Sequence, residues 1–254
     1  MGWWNRAVTG LSVVIPAYRE AENLKSILPR LVRTLKAACS EWEILIVDTM
    51  EPTGDGTEEV CLANGATYVN RKGGNLYGDA IRTGFAAARF ERICVMDADG
   101  SHNPDDIMRM IDTANLQNAD LVIGSRYTKG GHTENPSVLI AMSYMLNVTY
   151  RILFGIKVKD VSDSFRLYDA AKVKSIGLEC DNFDIVEEIL ILLGSRYPNL
   201  RIVEIPITFD KRDKGESKRD LKKFVRSYIK TIRKLMRIRI KNRKNRSADT
   251  GDNV

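Results

Sequence analysis

The sequence predicts an α/β fold built on a mostly parallel sheet with helices on both faces. Three observations predict it. Short apolar runs of strand length alternate along the chain with segments whose apolar residues recur every three or four positions. Several of the runs end abruptly on an acid or a Gly-Ser pair followed by loop residues. At 254 residues, with 44% hydrophobic and 28% charged residues, the chain can bury one large core or two small ones.

The elements follow in order. Leu11 to Pro16 is the first apolar run and predicts a buried strand. Leu24, Ile27, Leu28, Leu31 and Leu35 then follow helical spacing. Glu43 to Asp48 is a second strand that ends on an acid. Thr57 to Asn64 predicts a short helix stopped by Gly65, and Ala66 to Asn70 a strand. Tyr77 to Phe90 reads as a helix despite Gly84. Arg92 to Asp97 is the next strand, Pro104 to Asn115 a helix and Leu121 to Gly124 a strand. This β-α-β rhythm argues for a parallel sheet. Ser137 to Phe154 and Phe183 to Leu193 predict two apolar-rich helices, the second carrying Glu187 and Glu188. Arg201 to Phe209 predicts a strand, and Pro206 within it points to an edge or a bulge.

The end of the chain differs in character. From Lys211 to Arg246 there are 17 lysines and arginines against three acids, while the whole chain carries only +6. Leu221, Phe224, Val225, Tyr228, Ile232, Leu235 and Met236 follow helical spacing among these bases. Such a basic amphipathic helix suits an anionic membrane surface, and equally a helix docked on the body with a solvated basic face. No uninterrupted apolar stretch approaches the ~20 residues of a spanning helix, and residues 1–10 lack the apolar segment of a secretory signal. The four cysteines are scattered without a C-x-x-C pair, which excludes the common zinc and redox motifs. Trp3 and Trp4 fit a membrane interface, a core or a loose end alike.

Asp97-Ala98-Asp99 carries the strongest chemical signal. It ends an apolar strand and precedes the loop residues Gly100-Ser101-His102-Asn103-Pro104. Ligands of open α/β sheets gather at this carboxyl edge. Residues two apart on an extended chain point to the same side, and paired carboxylates suit a hard divalent cation holding phosphates. An isolated D-x-D fits a helix cap and a solvated turn as well. Here Pro16 to Leu24, Asp48 and Gly124-Ser125-Arg126-Tyr127 share the same expected edge, bringing acids for a metal or ribose and an arginine for phosphate. Nucleotide-sugar chemistry fits this set, as do other nucleotide-dependent transfers.

With these motifs, and with Ser164-Phe165-Arg166-Leu167-Tyr168 and Gly215-Glu216-Ser217-Lys218, the chain resembles the family 2 inverting glycosyltransferases of the GT-A fold. It is most similar to the dolichol-phosphate mannose synthases and related polyprenyl-phosphate sugar transferases. The resemblance runs from about Leu11 to Lys218. It implies a GT-A, Rossmann-like catalytic domain over residues 1–218, and the spacing and charge of the remaining residues predict a basic amphipathic helix with a disordered, membrane-associating tail over 219–254. It implies nucleotide contacts at Pro16, Tyr18, Glu20, Ile46, Asp48 and Ala98, and donor-phosphate contacts at Arg212 and Lys218. Asp97 and Asp99 match the motif for Mg²⁺ or Mn²⁺, with Ser101 as a further ligand position. Arg126 matches a phosphate-binding arginine near the acceptor, and Glu188 an acid at the acceptor end.

The activity so implied is transfer of a hexose, mannose from GDP-mannose by preference, to a polyprenyl or dolichyl phosphate. The expected place is peripheral, on the cytoplasmic face of a membrane, with an anionic surface and a small membrane-anchoring subunit as candidate partners. An acceptor phosphate is already ionised, so no strong base need be sought. Asp48-Thr49 stands where many members carry two acids, and the following loop is about two residues longer. Leu139 stands in place of an arginine, with Ser143 retained, and Asp163 in place of a glycine. These departures keep a UDP-sugar donor or a non-lipid acceptor open as the alternative. A non-enzymatic nucleic-acid- or membrane-binding protein is the third reading. The retained Asp97, Asp99, Arg126, Arg212 and Lys218 weigh against it.

Overall fold

The protein is described by a computed structural model that covers residues 10–134, 136–209 and 228–241. Its centre is a seven-stranded sheet of β1 (Gly10–Pro16), β2 (Glu41–Asp48), β3 (Thr67–Asn70), β4 (Arg92–Val95), β5 (Leu121–Ser125), β7 (Arg166–Asp169) and β8 (Ile202–Pro206). The order across the sheet is β3-β2-β1-β4-β7-β5-β8. All neighbours are parallel except β7, which runs antiparallel between β4 and β5. A small parallel pair joins β6 (His132–Thr133) to β9 (Thr208–Phe209).

The pleat divides the apolar side chains between two cores. Val13, Ile15, Ile44, Ile46, Cys94 and Val122 pack on one face with α1 (Ala21–Ala38), α2 (Thr57–Ala63) and α4 (Asp106–Gln117). Val14, Leu45, Val47, Ile93, Val95 and Ile123 pack on the other. That face is covered by α3 (Tyr77–Ala87), α5 (Ser137–Phe154), α6 (Ala170–Lys174) and α7 (Ile185–Arg196). Alternation along a strand is the direct cause: successive residues point to opposite faces. Gly84 has a packing reason in α3, because a Cβ there would lie 2.2 Å from Val14 Cγ1. Its absence lets the helix close on β1.

Two elements depart from the sequence expectation. The run from Arg201 to Phe209 is split: β8 ends at Pro206 and β9 starts at Thr208. β8 pairs only with β5, the edge position that Pro206 requires. β7 is absent from the apolar pattern because Arg166-Leu167-Tyr168-Asp169 carries a charge at each end.

Residues 228–241 are helical, and their apolar side is docked. Leu235 and Ile238 are buried in the same core as α5 and α7, with Tyr228 and Ile232 packed beside them. Tyr228 Oη donates to the Leu146 carbonyl, and Arg239 Nη1 to that of Leu153. Residues 221–227 of the anticipated helix lie outside the described residues. α5 has a length and mean composition that would cross a membrane, although Ser143, Asn147, Thr149 and Arg151 interrupt its apolar run. Yet Met142, Asn147, Tyr150 and Phe154 anchor one side of it in the protein.

Candidate active site

The sheet order reverses at β1, so a crevice opens outside the carboxyl ends of β1, β2 and β4. The register places Pro16 beside Val47, and the Met96 N–H donates to Val14 O, so the chain after β4 leaves the sheet near the end of β1. Pro16, Asp48 and Asp97 therefore meet at one edge.

Asp48 is fully buried. Its Oδ2 accepts the Tyr68 hydroxyl at 3.1 Å, while its Oδ1 has no hydrogen-bond partner among the described residues. A buried carboxylate oxygen without a partner is costly, and a ligand hydroxyl or N–H would relieve it. Tyr18 is exposed, and Glu20 accepts the Asn23 amide at 2.6 Å. Ile46 lies two residues inside β2, within the core, and does not reach the edge. Ala98 is likewise buried beside Met96. Arg71 ties this edge together: it donates to the carbonyls of Ala17, Asn75 and Leu76.

Asp97 Oδ1 accepts the Tyr77 hydroxyl at 3.3 Å and Oδ2 the Ser164 hydroxyl at 3.0 Å. Burial lifts its pKa above the ordinary carboxylate range, and the nearby Asp99 and Asp163 add to the rise. Gly100, with φ at +81°, turns the chain so that Ser101 N–H and Oγ both donate to Asp99 Oδ1. Ser101 therefore braces Asp99. The donor set is two carboxylates and a hydroxyl, all hard oxygens, with crowded negative charge around Asp97. No group of three or more His, Cys, Asp or Glu able to hold a metal occurs among the described residues. Two carboxylates are the number a Mg²⁺-type site uses, with water and substrate phosphate completing its shell.

Arg126, at the end of β5, is held by two aspartates. Nε and Nη2 grip Asp160 at 2.8 and 2.7 Å, Nη2 also reaches Ser162 Oγ at 2.9 Å, and Nε lies 3.2 Å from Asp163 Oδ2. Burial opposes the guanidinium charge, but Asp160 and Asp163 outweigh it and raise the pKa. The side chain of the next residue, Tyr127, lies beside that of Ser143, so the first half of α5 borders the site.

Glu188 is buried and fully occupied: its two oxygens accept the N–H groups of Glu179 and Cys180, each at 2.8 Å. It holds the loop whose Asp181 carbonyl receives Gly78 N–H and whose Phe183 stacks on Tyr77 at 4.2 Å. Tyr77 in turn contacts Asp97, so Glu188 reaches the acid pair through that chain of contacts. Arg212 and Lys218 lie outside the described residues. Sequence reasoning overlooked Tyr77, Arg71 and Asp160. No motif flags them, because each reaches the site through a fold-dependent contact.

Residues 12–177 match the family model described as Glycosyl transferase family 2. Polyprenol monophosphomannose synthase of Mycolicibacterium smegmatis is 33% identical over 215 residues, covering 81% of this chain and 79% of that protein. Undecaprenyl-phosphate mannosyltransferase of Micrococcus luteus is 32% identical, covering 81% and 85%. Dolichol-phosphate mannosyltransferase of Pyrococcus furiosus is 33% identical, covering 89% of this chain and 64% of that longer protein. Among solved structures, glucosyl-3-phosphoglycerate synthase from Mycobacterium tuberculosis, crystallised with Mn²⁺, uridine diphosphate and phosphoglyceric acid, superposes with a TM-score of 0.70. The identity is 18%, over 91% of this chain and 80% of that one, so this likeness establishes the GT-A fold alone.

Proposed function

The chain belongs to glycosyl transferase family 2, and from that premise we propose that it transfers mannose from GDP-mannose to a polyprenyl phosphate with inversion. The observation that supports this reading is that Asp97 and Asp99 follow the carboxyl end of β4 and Arg126 that of β5, two strands that run the same way and so end at one edge of the sheet. Asp97 and Asp99 are the residues that would hold Mg²⁺ or Mn²⁺, whose charge stabilises the departing diphosphate. Ser101 and Tyr77 orient the two carboxylates. Asp48 Oδ1 is the natural acceptor for a nucleoside hydroxyl or N–H, beside Pro16 and Tyr18. Arg212 and Lys218 supply further cations to the donor phosphates.

The acceptor brings its own nucleophile. An ionised phosphate oxygen forms the bond to the anomeric carbon as the bond from that carbon to the diphosphate breaks, and GDP leaves. No proton has to be removed, so the protein's work is alignment and charge stabilisation. Arg126 fits the acceptor side. Relatives at about a third identity are named for mannose transfer to polyprenyl phosphates, which supports this donor sugar and acceptor.

A peripheral membrane position, on the cytoplasmic face, suits a lipid acceptor, and two surfaces support it. α5 exposes Val138, Tyr144, Met145, Ile152 and Leu153. The 228–241 helix beside it exposes Ile229, Met236 and Ile240, and this stretch contains six bases and no acid. An open groove of about 700 Å³ lined by Val148, Ile152 and Ile156 with Arg151 and Lys157 continues the same character. With one side of α5 packed on the protein and the other apolar and exposed, this reading lays the helix in the plane of the interface. Calorimetry of GDP and UDP binding, with and without Mn²⁺, tests the donor assignment. Metal-dependent binding of GDP is expected, and preference for UDP would move the donor to the UDP-sugars.

A further inference from the structure

Asp163 stands between Arg126 and His102. Its side chain is completely buried. Oδ1 accepts the Phe165 N–H at 2.8 Å and lies 3.3 Å from His102 Nε2, while Oδ2 lies 3.2 Å from Arg126 Nε. His102 Nε2 and Asp163 Oδ2 are buried without a hydrogen-bond partner of good geometry among the described residues, and these two close ion contacts are what each of them faces.

The imidazole passes the connection on. His102 Nδ1 accepts the Asp97 N–H at 3.1 Å. A ring nitrogen that accepts carries no proton, so the ring's single proton sits on Nε2 and faces Asp163. His102 stacks on Phe165 at 4.8 Å and meets the edge of Phe209 at 5.4 Å, which prevents the ring from swinging. The Phe209 ring also lies 5.4 Å from the Arg126 guanidinium. Burial alone would raise the Asp163 pKa, but Arg126, His102 and the Phe165 N–H outweigh it and hold the group ionised.

We propose that Asp163 is a positioning residue that fixes the acceptor-side Arg126 and, through His102, the donor-side Asp97 relative to one another. This rests on the reading of those two sides given above. Asp163 touches neither substrate. Its effect is on alignment, where a displacement of about 1 Å can cost on the order of a hundredfold in rate.

Two variants separate the two couplings. In Asp163→Asn the Phe165 N–H selects the carbonyl oxygen for the Oδ1 place, so the His102 contact survives. The amide NH₂ then faces Arg126 and repels it. Asp163→Ala loses both contacts. The full chain has only two histidines, so ¹⁵N-histidine spectra resolve His102 directly, with His132→Asn identifying the other signal.

The expected results are a neutral His102 with its proton on Nε2 in the wild type and in Asp163→Asn, and a shifted His102 signal in Asp163→Ala. In transfer assays Asp163→Asn should raise the KM for polyprenyl phosphate about tenfold, as Arg126 loses the buried carboxylate that aligns it, with half-saturating Mn²⁺ unchanged. Asp163→Ala should raise both. A wild-type His102 protonated on Nδ1, or an unchanged acceptor KM in folded Asp163→Asn, overturns the proposal. If the wild type makes no mannosyl lipid, the proposed function fails, and the wild-type and Asp163→Ala spectra still decide the link between Asp163 and His102.

Discussion

Arg126 and Asp160 form a two-pronged ion pair, Nε to Oδ2 at 2.8 Å and Nη2 to Oδ1 at 2.7 Å, with Asp160 side-chain exposure at 0% and Arg126 at 9%. Asp160 Oδ2 also accepts the Arg126 backbone N–H at 3.0 Å. One carboxylate thus fixes both the backbone and the side chain of the residue that leaves β5. Asp160 itself is held by its N–H on Glu204 Oε1 at 3.0 Å.

Removing one partner of such a buried pair leaves the other charge uncompensated, at a cost of about 3–5 kcal/mol. Asp160→Ala should therefore lower the urea midpoint strongly. Arg126→Ala combined with it should be less harmful than the sum of the two single changes. Additive losses in that double-mutant cycle would mean the pair is not coupled.

Asp99→Ala should abolish Mn²⁺-dependent binding of the nucleotide and leave the fold intact, because the side chain sits in the loop after β4, outside either core. Calorimetry with and without Mn²⁺ reads this. Metal-dependent affinity equal to the wild type's would remove Asp99 from the metal assignment.

Glu187 predicts a pH dependence. Burial pushes its pKa up to about 8 from the ordinary glutamate value of 4.5, against the weaker opposing pull of Arg166. The native state therefore keeps a proton that the unfolded chain releases between those values. Its stabilising effect is complete below about pH 4.5 and fades as pH rises through about 8. Within that window each pH unit costs about 1.4 kcal/mol. Glu187→Gln should flatten this slope and raise Tm most near pH 8. An unchanged Tm-versus-pH profile would show that the carboxyl is ionised in the native protein.

The exposed stripe of α5 predicts membrane binding. Met145→Glu and Ile152→Glu alter side chains that are 54% and 75% exposed, so folding should be unaffected. Flotation with anionic liposomes should fall in both, and binding should weaken with salt as the bases of the 228–241 helix are screened. Full retention of liposome binding by the double variant would remove α5 from the membrane surface. Comparable binding to duplex DNA would favour a nucleic-acid partner for the basic helix.

The parallel core was legible because β1, β2 and β4 are continuous apolar runs, buried on both faces, that end at the crevice. α5 was legible to its ends, since Pro136 caps its start and Gly155, with φ at +69°, its finish. β7 was not. Arg166 lies buried mid-sheet because its guanidinium donates to the carbonyls of Val186 and Val161, partners that only the fold brings near. The acid pair stood out at a strand end, whereas Asp160 lies 34 residues from Arg126 and no spacing rule joins them. An apolar stripe also does not say what it faces: Tyr228, Ile232 and Leu235 turn to the protein.

The central claim is sugar transfer between a metal-held donor at Asp97 and Asp99 and a lipid phosphate at Arg126. The direct measurement supplies the full chain with labelled GDP-mannose, Mn²⁺ and a polyprenyl phosphate, then follows label into the organic phase and the anomeric configuration of the product. The account predicts a lipid-soluble mannosyl phosphate of inverted configuration that disappears with Asp99→Ala or without metal. Label released only as free mannose, or none transferred from GDP- or UDP-sugars by the folded protein, would contradict it.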